Sequence, residues 1–163
     1  MTTPDFVLAL RAKIGTDLLP MVGTTAIVRN RAGQVLLGRR ADTGEWALPS
    51  GIVEPFEEPA AAIAREVHEE TGVEVSVDAL VSVSALPDPV VYANGDQAAY
   101  WDLSFSCSYV RGEPAPVDGE NTEVGWFDLD RLPPLRPSSS ARLATALTYT
   151  GAAWFARRGR LRR

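Results

Sequence analysis

The sequence predicts a mixed α/β protein, an α/β or α+β sandwich in which helices pack on a mixed sheet. First, segments with strand character outnumber segments with helical periodicity along the chain. Second, a strong helix pattern follows Gly51 and interrupts the strands. Third, 163 residues with a hydrophobic fraction of 45% are enough for one core. We see no repeat and no linker, and we therefore expect residues 1–163 to form one domain.

The first element in the chain is a short amphipathic helix, predicted over Asp5–Ile14. Phe6, Leu10 and Ile14 recur at helical spacing, and Gly15 is a natural stop. This helix belongs to an N-terminal extension of residues 1–19. The other predicted elements are strands at 21–28, 34–37, 46–48, 73–86, 103–109 and 123–127, a loop with turn signals at 87–97, and a serine-capped helix at 137–151.

Composition and charge narrow the function classes. One cysteine, Cys107, excludes an internal disulfide framework and fits a reducing compartment, and no segment resembles a signal peptide or a membrane span, so we expect a cytoplasmic protein. The net charge of −5 argues against a protein that grips nucleic-acid backbone. The basic tail at 157–163 is predicted to be a disordered terminus, although it could contact an acidic partner or RNA.

A helix is predicted over Glu58–Thr71. Pro59 suits the first turn of a helix, an alanine-rich run follows it, and Gly72 favours the helix end. One face of this helix should pack on the sheet. The residues predicted for that face are Ala60, Ile63, Ala64 and Val67.

Three glutamates share another stripe of this helix. Glu66, Glu69 and Glu70 lie at i, i+3 and i+4, and like charges at this spacing repel by roughly 0.2–0.5 kcal/mol per pair. Arg65 is a possible partner for Glu69. Three explanations are open: a solvated stripe, pairing with arginines from elsewhere, or a divalent cation, because hard ions such as Mg²⁺ prefer clustered carboxylate oxygens.

The wider spacing resembles the Nudix box. Gly51 is followed by five residues, Glu57, seven residues, Arg65-Glu66, aliphatic Val67, one residue, Glu69-Glu70, one residue, Gly72 and aliphatic Val73. The similarity extends over roughly residues 20–135, and the chain is identified as a member of the Nudix hydrolase family. One departure is Ser50, because the family usually has Gly-Gly after the proline; a positive φ at Ser50 would be strained.

This resemblance implies an α/β/α sandwich with a mixed central sheet and the box as loop–helix–loop. It implies Mg²⁺- or Mn²⁺-dependent cleavage of the pyrophosphate bond of a nucleoside diphosphate linked to another moiety, such as a nucleoside triphosphate, ADP-ribose or a nucleotide sugar. The metal ligands that it implies are Glu66, Glu69, Glu70 and the carbonyl of Ser50 or Gly51. Arg65 and Glu57 are implied to orient and support these glutamates.

The general base varies within the family, between a box glutamate and a glutamate of a late loop. Glu69 and Glu70 are the box candidates, and Glu120 is the loop candidate for base or metal ligand, with Glu123 as second choice. The substrate-contact candidates are Arg39 and Arg40 for phosphate, with a surface ion pair as alternative, and Tyr92 and Trp101 for stacking, with a core or rim role as alternative.

Two further expectations concern partners and function class. The resemblance implies that a homodimer is possible, and the N-terminal helix is a plausible surface for it. The contrasting function is a non-catalytic Nudix-like module that binds nucleotides to regulate a partner. Such modules commonly lose box glutamates, whereas this chain keeps all of them.

Overall fold

The computed structural model describes residues 3–156 and places helices on both sides of a mixed sheet. This arrangement confirms the predicted α/β sandwich. The helices of this part of the chain are α1 (Asp5–Ile14), α2 (Pro59–Thr71) and α3 (Pro137–Leu147). Its strands are β1 (Leu19–Arg29), β2 (Val35–Arg40), β3 (Trp46–Ala47), β4 (Ser50–Ile52), β5 (Glu74–Ala85), β6 (Val90–Val91), β7 (Gln97–Arg111), β8 (Asn121–Phe127) and β9 (Trp154–Phe155).

The sheet has two parts that meet at one end. In the first part β1 runs parallel to β7 and antiparallel to β4, and β7 pairs antiparallel with β5. In the second part β2 pairs antiparallel with β3 and β8. The two parts are joined where β1 pairs antiparallel with β2. Among residues 3–156, the partners in this pairing are Arg29 and Val35, which lie beside the turn that connects the two strands. The two parts therefore diverge from this turn.

Helix α2 fills the space between the two parts. Ile63 and Val67 share one core cluster with Ala26 and Phe105 of the first part and with Leu36 of the second. Because α2 contacts both parts, its buried side differs from the predicted face: Ala60 is exposed and Ala64 is half-buried. The buried residues of α2 are Ala62, Ile63, Val67, Glu70 and Thr71.

Helix α3 covers the opposite face of the sheet through Leu143, which packs with Ile27 and Leu37. The predicted serine cap of this helix is wrong. The N-cap residue is Arg136 and makes no side-chain cap hydrogen bond, whereas Ser139 is buried and its Oγ accepts a hydrogen bond of 3.1 Å from the Leu48 N–H. The serine therefore joins the helix to the segment between β3 and β4.

The ends of the chain complete the fold. Helix α1 has the predicted bounds, and Val7 is its buried residue, packed against Leu19 and Met21. The two-residue strands β6 and β9 were not predicted; β9 pairs with β5. The predicted basic tail at 157–163 lies outside the described residues. Among residues 3–156, none of the helices combines the length and the hydropathy that crossing a lipid bilayer requires.

Candidate active site

Gly51 is a glycine because a glutamate carboxyl group occupies the space of its missing side chain. A Cβ at this position would lie 1.9 Å from the Cδ atom of Glu66. The backbone of Ser50, the neighbouring departure from the family pattern, is unstrained, since Phe56 is the non-glycine residue with a positive φ among residues 3–156. β4 therefore holds the Glu66 carboxylate against the sheet, next to the Ser50 and Gly51 backbone.

Arg65 holds three carboxylates of the box. Its Nε and Nη2 atoms both donate to Glu57 at 2.9 Å. Its Nη1 atom donates to Glu66 and to Glu69, each at 3.0 Å. The hydrogen bonds from Arg65 lower the pKa of Glu57 below its usual value. This bidentate pair fixes the guanidinium group, which in turn orients the other two glutamates.

The three glutamates of the predicted stripe have different surroundings. The Glu69 side chain is 51% exposed, whereas Glu70 is 3% exposed. The Oε1 atom of Glu70 is buried and has no hydrogen-bond partner among the described residues. Burial, and then the charges of Glu120 and Glu66, raise the pKa of Glu70 well above its usual range. Burial also raises the pKa of Glu66.

Glu120 reaches the same site from the turn before β8. Its side chain is 6% exposed and accepts a hydrogen bond of 3.0 Å from Arg40 Nη1. Its N–H donates to the Asp118 carboxylate at 2.9 Å. Its charge contributes to the raised pKa of Glu70, so a carboxylate of this turn and a carboxylate of α2 belong to the same acidic group. Asp118 was not singled out from the sequence, although the Asp-Gly turn at this point was a usable signal.

The alternative candidate Glu123 lies apart from this group. Its side chain is 55% exposed and pairs with Arg39 Nη1 at 2.7 Å. Arg39 is therefore part of a surface ion pair, which was the alternative to phosphate contact. Arg40 differs, because it bridges Glu120 in the site and Asp42 at its edge.

One carboxylate of the site fits a divalent cation, whereas three others are held by arginines. Residues 3–156 contain no ready-made group of three or more His, Cys, Asp or Glu side chains arranged to hold a metal. Arg65 and Arg40 instead hold three of the carboxylates. The unpartnered buried oxygen of Glu70 does fit a cation, because a cation would provide its missing partner and offset the repulsion from Glu66 and Glu120.

The two aromatic candidates lie on either side of the turn before β7. Tyr92 is partly exposed and its hydroxyl lies 2.6 Å from the hydroxyl of Tyr100. Trp101 is 50% exposed and lines a groove of about 450 Å³ together with Val53 and Pro55 of the box loop. The structure thus brings Trp101, but not Tyr92, into the wall of this groove.

Comparison with known proteins shows the family. The family model described as NUDIX domain matches residues 19–147. A MutT-like protein from Streptomyces ambofaciens is 36% identical over 114 residues, which cover 70% of this chain and 68% of that protein. The NAD-capped RNA hydrolase NudC of Pseudomonas aeruginosa is 34% identical over 124 residues, which cover 74% of this chain but only 41% of that enzyme.

Solved structures agree with this relationship. The crystal structure of a MutT NUDIX hydrolase from Burkholderia pseudomallei superposes with a TM-score of 0.65 at 32% identity, covering 78% of this chain and 98% of that one. With the complete box on α2 and its flanking loops, these similarities show that the chain belongs to the Nudix family of pyrophosphohydrolases.

Proposed function

We propose that this protein hydrolyses the pyrophosphate bond of a nucleoside diphosphate linked to another moiety, with Mg²⁺ or Mn²⁺ as cofactor. The substrate would be a nucleoside triphosphate, ADP-ribose or a nucleotide sugar. The observation that carries the proposal is the buried Glu70 carboxylate, which is repelled by the charges of Glu120 and Glu66 and has an oxygen without a partner among the described residues. Isolated buried charges are costly unless a cation or a proton compensates them.

Glu66, Glu69, Glu70, Glu120 and the carbonyl of Ser50 are the proposed metal ligands. A bound cation would neutralise the negative charge that develops on the diphosphate oxygens in the transition state. Three of these carboxylates, Glu66, Glu69 and Glu120, would have to exchange their present arginine contact for the ion, while Arg65 stays anchored by its two bonds to Glu57.

Glu120, Glu69 and Glu70 are the candidates for the base that takes a proton from the attacking water. Of these candidates Glu70 is favoured, because burial raises its pKa and a raised pKa makes a carboxylate a better proton acceptor near neutral pH. Of the two late glutamates, the geometry favours Glu120, which is buried and pairs with Arg40, over Glu123, which pairs with Arg39 at the surface. Arg40 is our candidate for phosphate contact, since its guanidinium already reaches the acidic group.

We propose a cytoplasmic location, which fits a single buried free thiol. Burial raises the pKa of the Cys107 thiol to about 12, so this side chain is a core residue rather than a nucleophile. A homodimer through α1 stays a prediction.

A substrate panel tests the proposal. Nucleoside triphosphates, ADP-ribose and nucleotide sugars are incubated with Mg²⁺, Mn²⁺ or EDTA, and release of nucleoside monophosphate is followed by chromatography. We expect turnover of at least one class with metal and none with EDTA. Glu66→Gln and Glu70→Gln should lower kcat by about 100-fold or more. Lack of turnover of any diphosphate would contradict the proposal and favour a nucleotide-binding module.

A matched pair of variants tests the loop glutamate. Glu120→Gln should lower kcat strongly, whereas Glu123→Gln should change it by less than about twofold, because it loses only an exposed ion pair. Equal effects of the two substitutions would remove Glu120 from the site.

A further inference from the structure

The groove that contains Trp101 has an apolar floor next to the acidic site. One wall of the groove is formed by α1, which precedes the residues that the family model matches. We infer that this groove holds the nucleobase of the substrate, and that α1 is a base-binding element of the enzyme. The inference deepens the proposed function and rests on it for the position of the diphosphate. The groove residues used here are Phe6, Leu10, Val22, Val53, Pro55 and Trp101.

The strand register connects the groove to the box. Gly51, which the Glu66 carboxyl covers, is opposite Thr24 of β1, and Thr24 is opposite Leu103 of β7. The next row on the same face of the sheet pairs Val22 with Trp101. Rows two residues apart are separated by about 7 Å. The groove therefore begins one row from Glu66, a separation that the ribose of a nucleotide can span.

Helix α1 forms the outer wall of the groove. Phe6 and Leu10 come from this helix, which precedes the region matched by the family model at 19–147. Arg11 fixes the helix in place, because its guanidinium donates to the carbonyls of Asp17 at 2.6 Å and of Gln97 at 2.7 Å. The wall is therefore attached to the start of β7, close to Trp101.

The lining of the groove determines the kind of ligand that fits. Leu10, Val22 and Trp101 are 39%, 37% and 50% exposed, so adjoining apolar side chains remain in contact with water. Glu54 is the charged residue among the described groove residues, and no cation lines the groove. A phosphate is therefore disfavoured, whereas a flat heteroaromatic ring can stack on the indole and contact the aliphatic walls.

The size of the groove favours a small ligand over a second copy of the chain. Its volume of about 450 Å³ is within the range of small-molecule sites, about 300–1,000 Å³. Every base has a stacking face, and the lining has few hydrogen-bonding groups that would select one base edge. We therefore expect AMP, GMP and CMP to bind with affinities within about tenfold of one another.

The test measures binding without turnover. Intrinsic tryptophan fluorescence and calorimetry are used to titrate the full chain in EDTA with AMP and with ribose 5-phosphate, which lacks a base. We expect AMP to bind at least tenfold more tightly than ribose 5-phosphate. Trp101→Ala and Leu10→Glu should each weaken AMP binding by about tenfold or more, while ribose 5-phosphate binding stays unchanged.

Two matched controls are available. Leu8 is 53% exposed on the same helix but does not line the groove, so Leu8→Glu adds the same charge at a neighbouring position. Trp154 is 52% exposed on β9, so Trp154→Ala removes an equally exposed indole elsewhere. Neither control should alter AMP binding. Leu10→Glu keeps the proposal testable if Trp101→Ala fails to fold, because Leu10 is at the surface.

The outcomes separate this inference from the proposed function. AMP binding that is equal to ribose 5-phosphate binding, or unchanged in both groove variants, would overturn the nucleobase site even if the enzyme turns over diphosphates. Base-dependent binding that needs Trp101 and Leu10 would support the site even if no turnover were found. A change of oligomeric state in Leu10→Glu, with AMP affinity unchanged, would identify the groove as a protomer interface and would also overturn the inference.

Discussion

Replacing Glu70 with glutamine should stabilise the metal-free protein while it removes activity. The carboxylate is 3% exposed, and its Oε1 atom has no partner among the described residues. A buried polar group without a partner costs about 1–3 kcal/mol, and more when it is charged. Glutamine has nearly the same shape and carries no charge, so the substitution removes the repulsion from the charges of Glu120 and Glu66. We therefore expect the free energy of unfolding of Glu70→Gln to rise by about 1–3 kcal/mol at pH 7 in EDTA.

The sign of the pH dependence follows from proton binding. In the unfolded chain the Glu70 carboxyl ionises near its ordinary pKa of 4.5, whereas in the folded chain burial and like charges keep it protonated to higher pH. Above pH 4.5 the folded state thus binds more protons, and the stability of the unmodified protein falls as pH rises through the raised pKa. The advantage of Glu70→Gln should be largest above that pKa and should disappear below pH 4.5.

Thermal unfolding followed by circular dichroism measures this difference. At about 2–4 °C per kcal/mol, Tm should rise by roughly 2–12 °C at pH 7. The matched control is Glu69→Gln, which removes a half-exposed carboxylate with one ion pair and should cost about 0.5 kcal/mol or less. Saturating Mg²⁺ should narrow the gap, because it stabilises the unmodified protein by mass action. An unchanged or lower Tm for Glu70→Gln in EDTA would refute the reasoning.

Three other substitutions give separate predictions. Gly51→Ala should keep Tm but lower kcat about 100-fold, because the added Cβ must displace the carboxyl group of Glu66. The control is Gly125→Ala, whose added Cβ would have its nearest contact at 3.6 Å and should change neither Tm nor kcat in thermal unfolding and turnover assays. Arg65→Lys keeps the positive charge but loses the paired hydrogen bonds to Glu57, so kcat should fall roughly 10–100-fold in steady-state kinetics. An unchanged kcat would contradict the role of Arg65 in orienting the glutamates. Phe56→Gly should raise stability by roughly 0.5–1 kcal/mol in urea unfolding, because Phe56 is fully exposed with φ at 69°; a loss of stability would show an unrecognised contact.

Local signals predicted the box helix well. The sequence analysis placed it at Glu58–Thr71, and the structure has Pro59–Thr71 with Gly72 in the left-handed conformation at φ 70°. Proline at the first turn and glycine after the last are properties of neighbouring residues, so no tertiary information is needed. The α/β class was predictable for the same reason, from periodicity along short segments.

The inner arrangement of the site was not predictable in the same way. Helical spacing puts Glu69 and Glu70 on one stripe, but it does not predict that Glu70 is buried while Glu69 is half-exposed, because this depends on tertiary packing around α2. The contact between Arg40 and Glu120 depends on the pairing of β2 with β8, which joins residues 80 positions apart. The role of Ser139 likewise depends on where α3 meets Leu48, in the segment between β3 and β4.

The narrow connection between the two parts of the sheet has a mechanical consequence. Gly51 and its ladder partner Thr24 belong to the first part, whereas Arg40 and the turn that carries Glu120 belong to the second. A small hinge motion about the β1–β2 turn would change the separation between the acidic side chains contributed by each part. An ion coordinated by side chains of both parts would restrict this hinge motion. Amide hydrogen exchange in β2 and β8 should therefore slow when the ion binds.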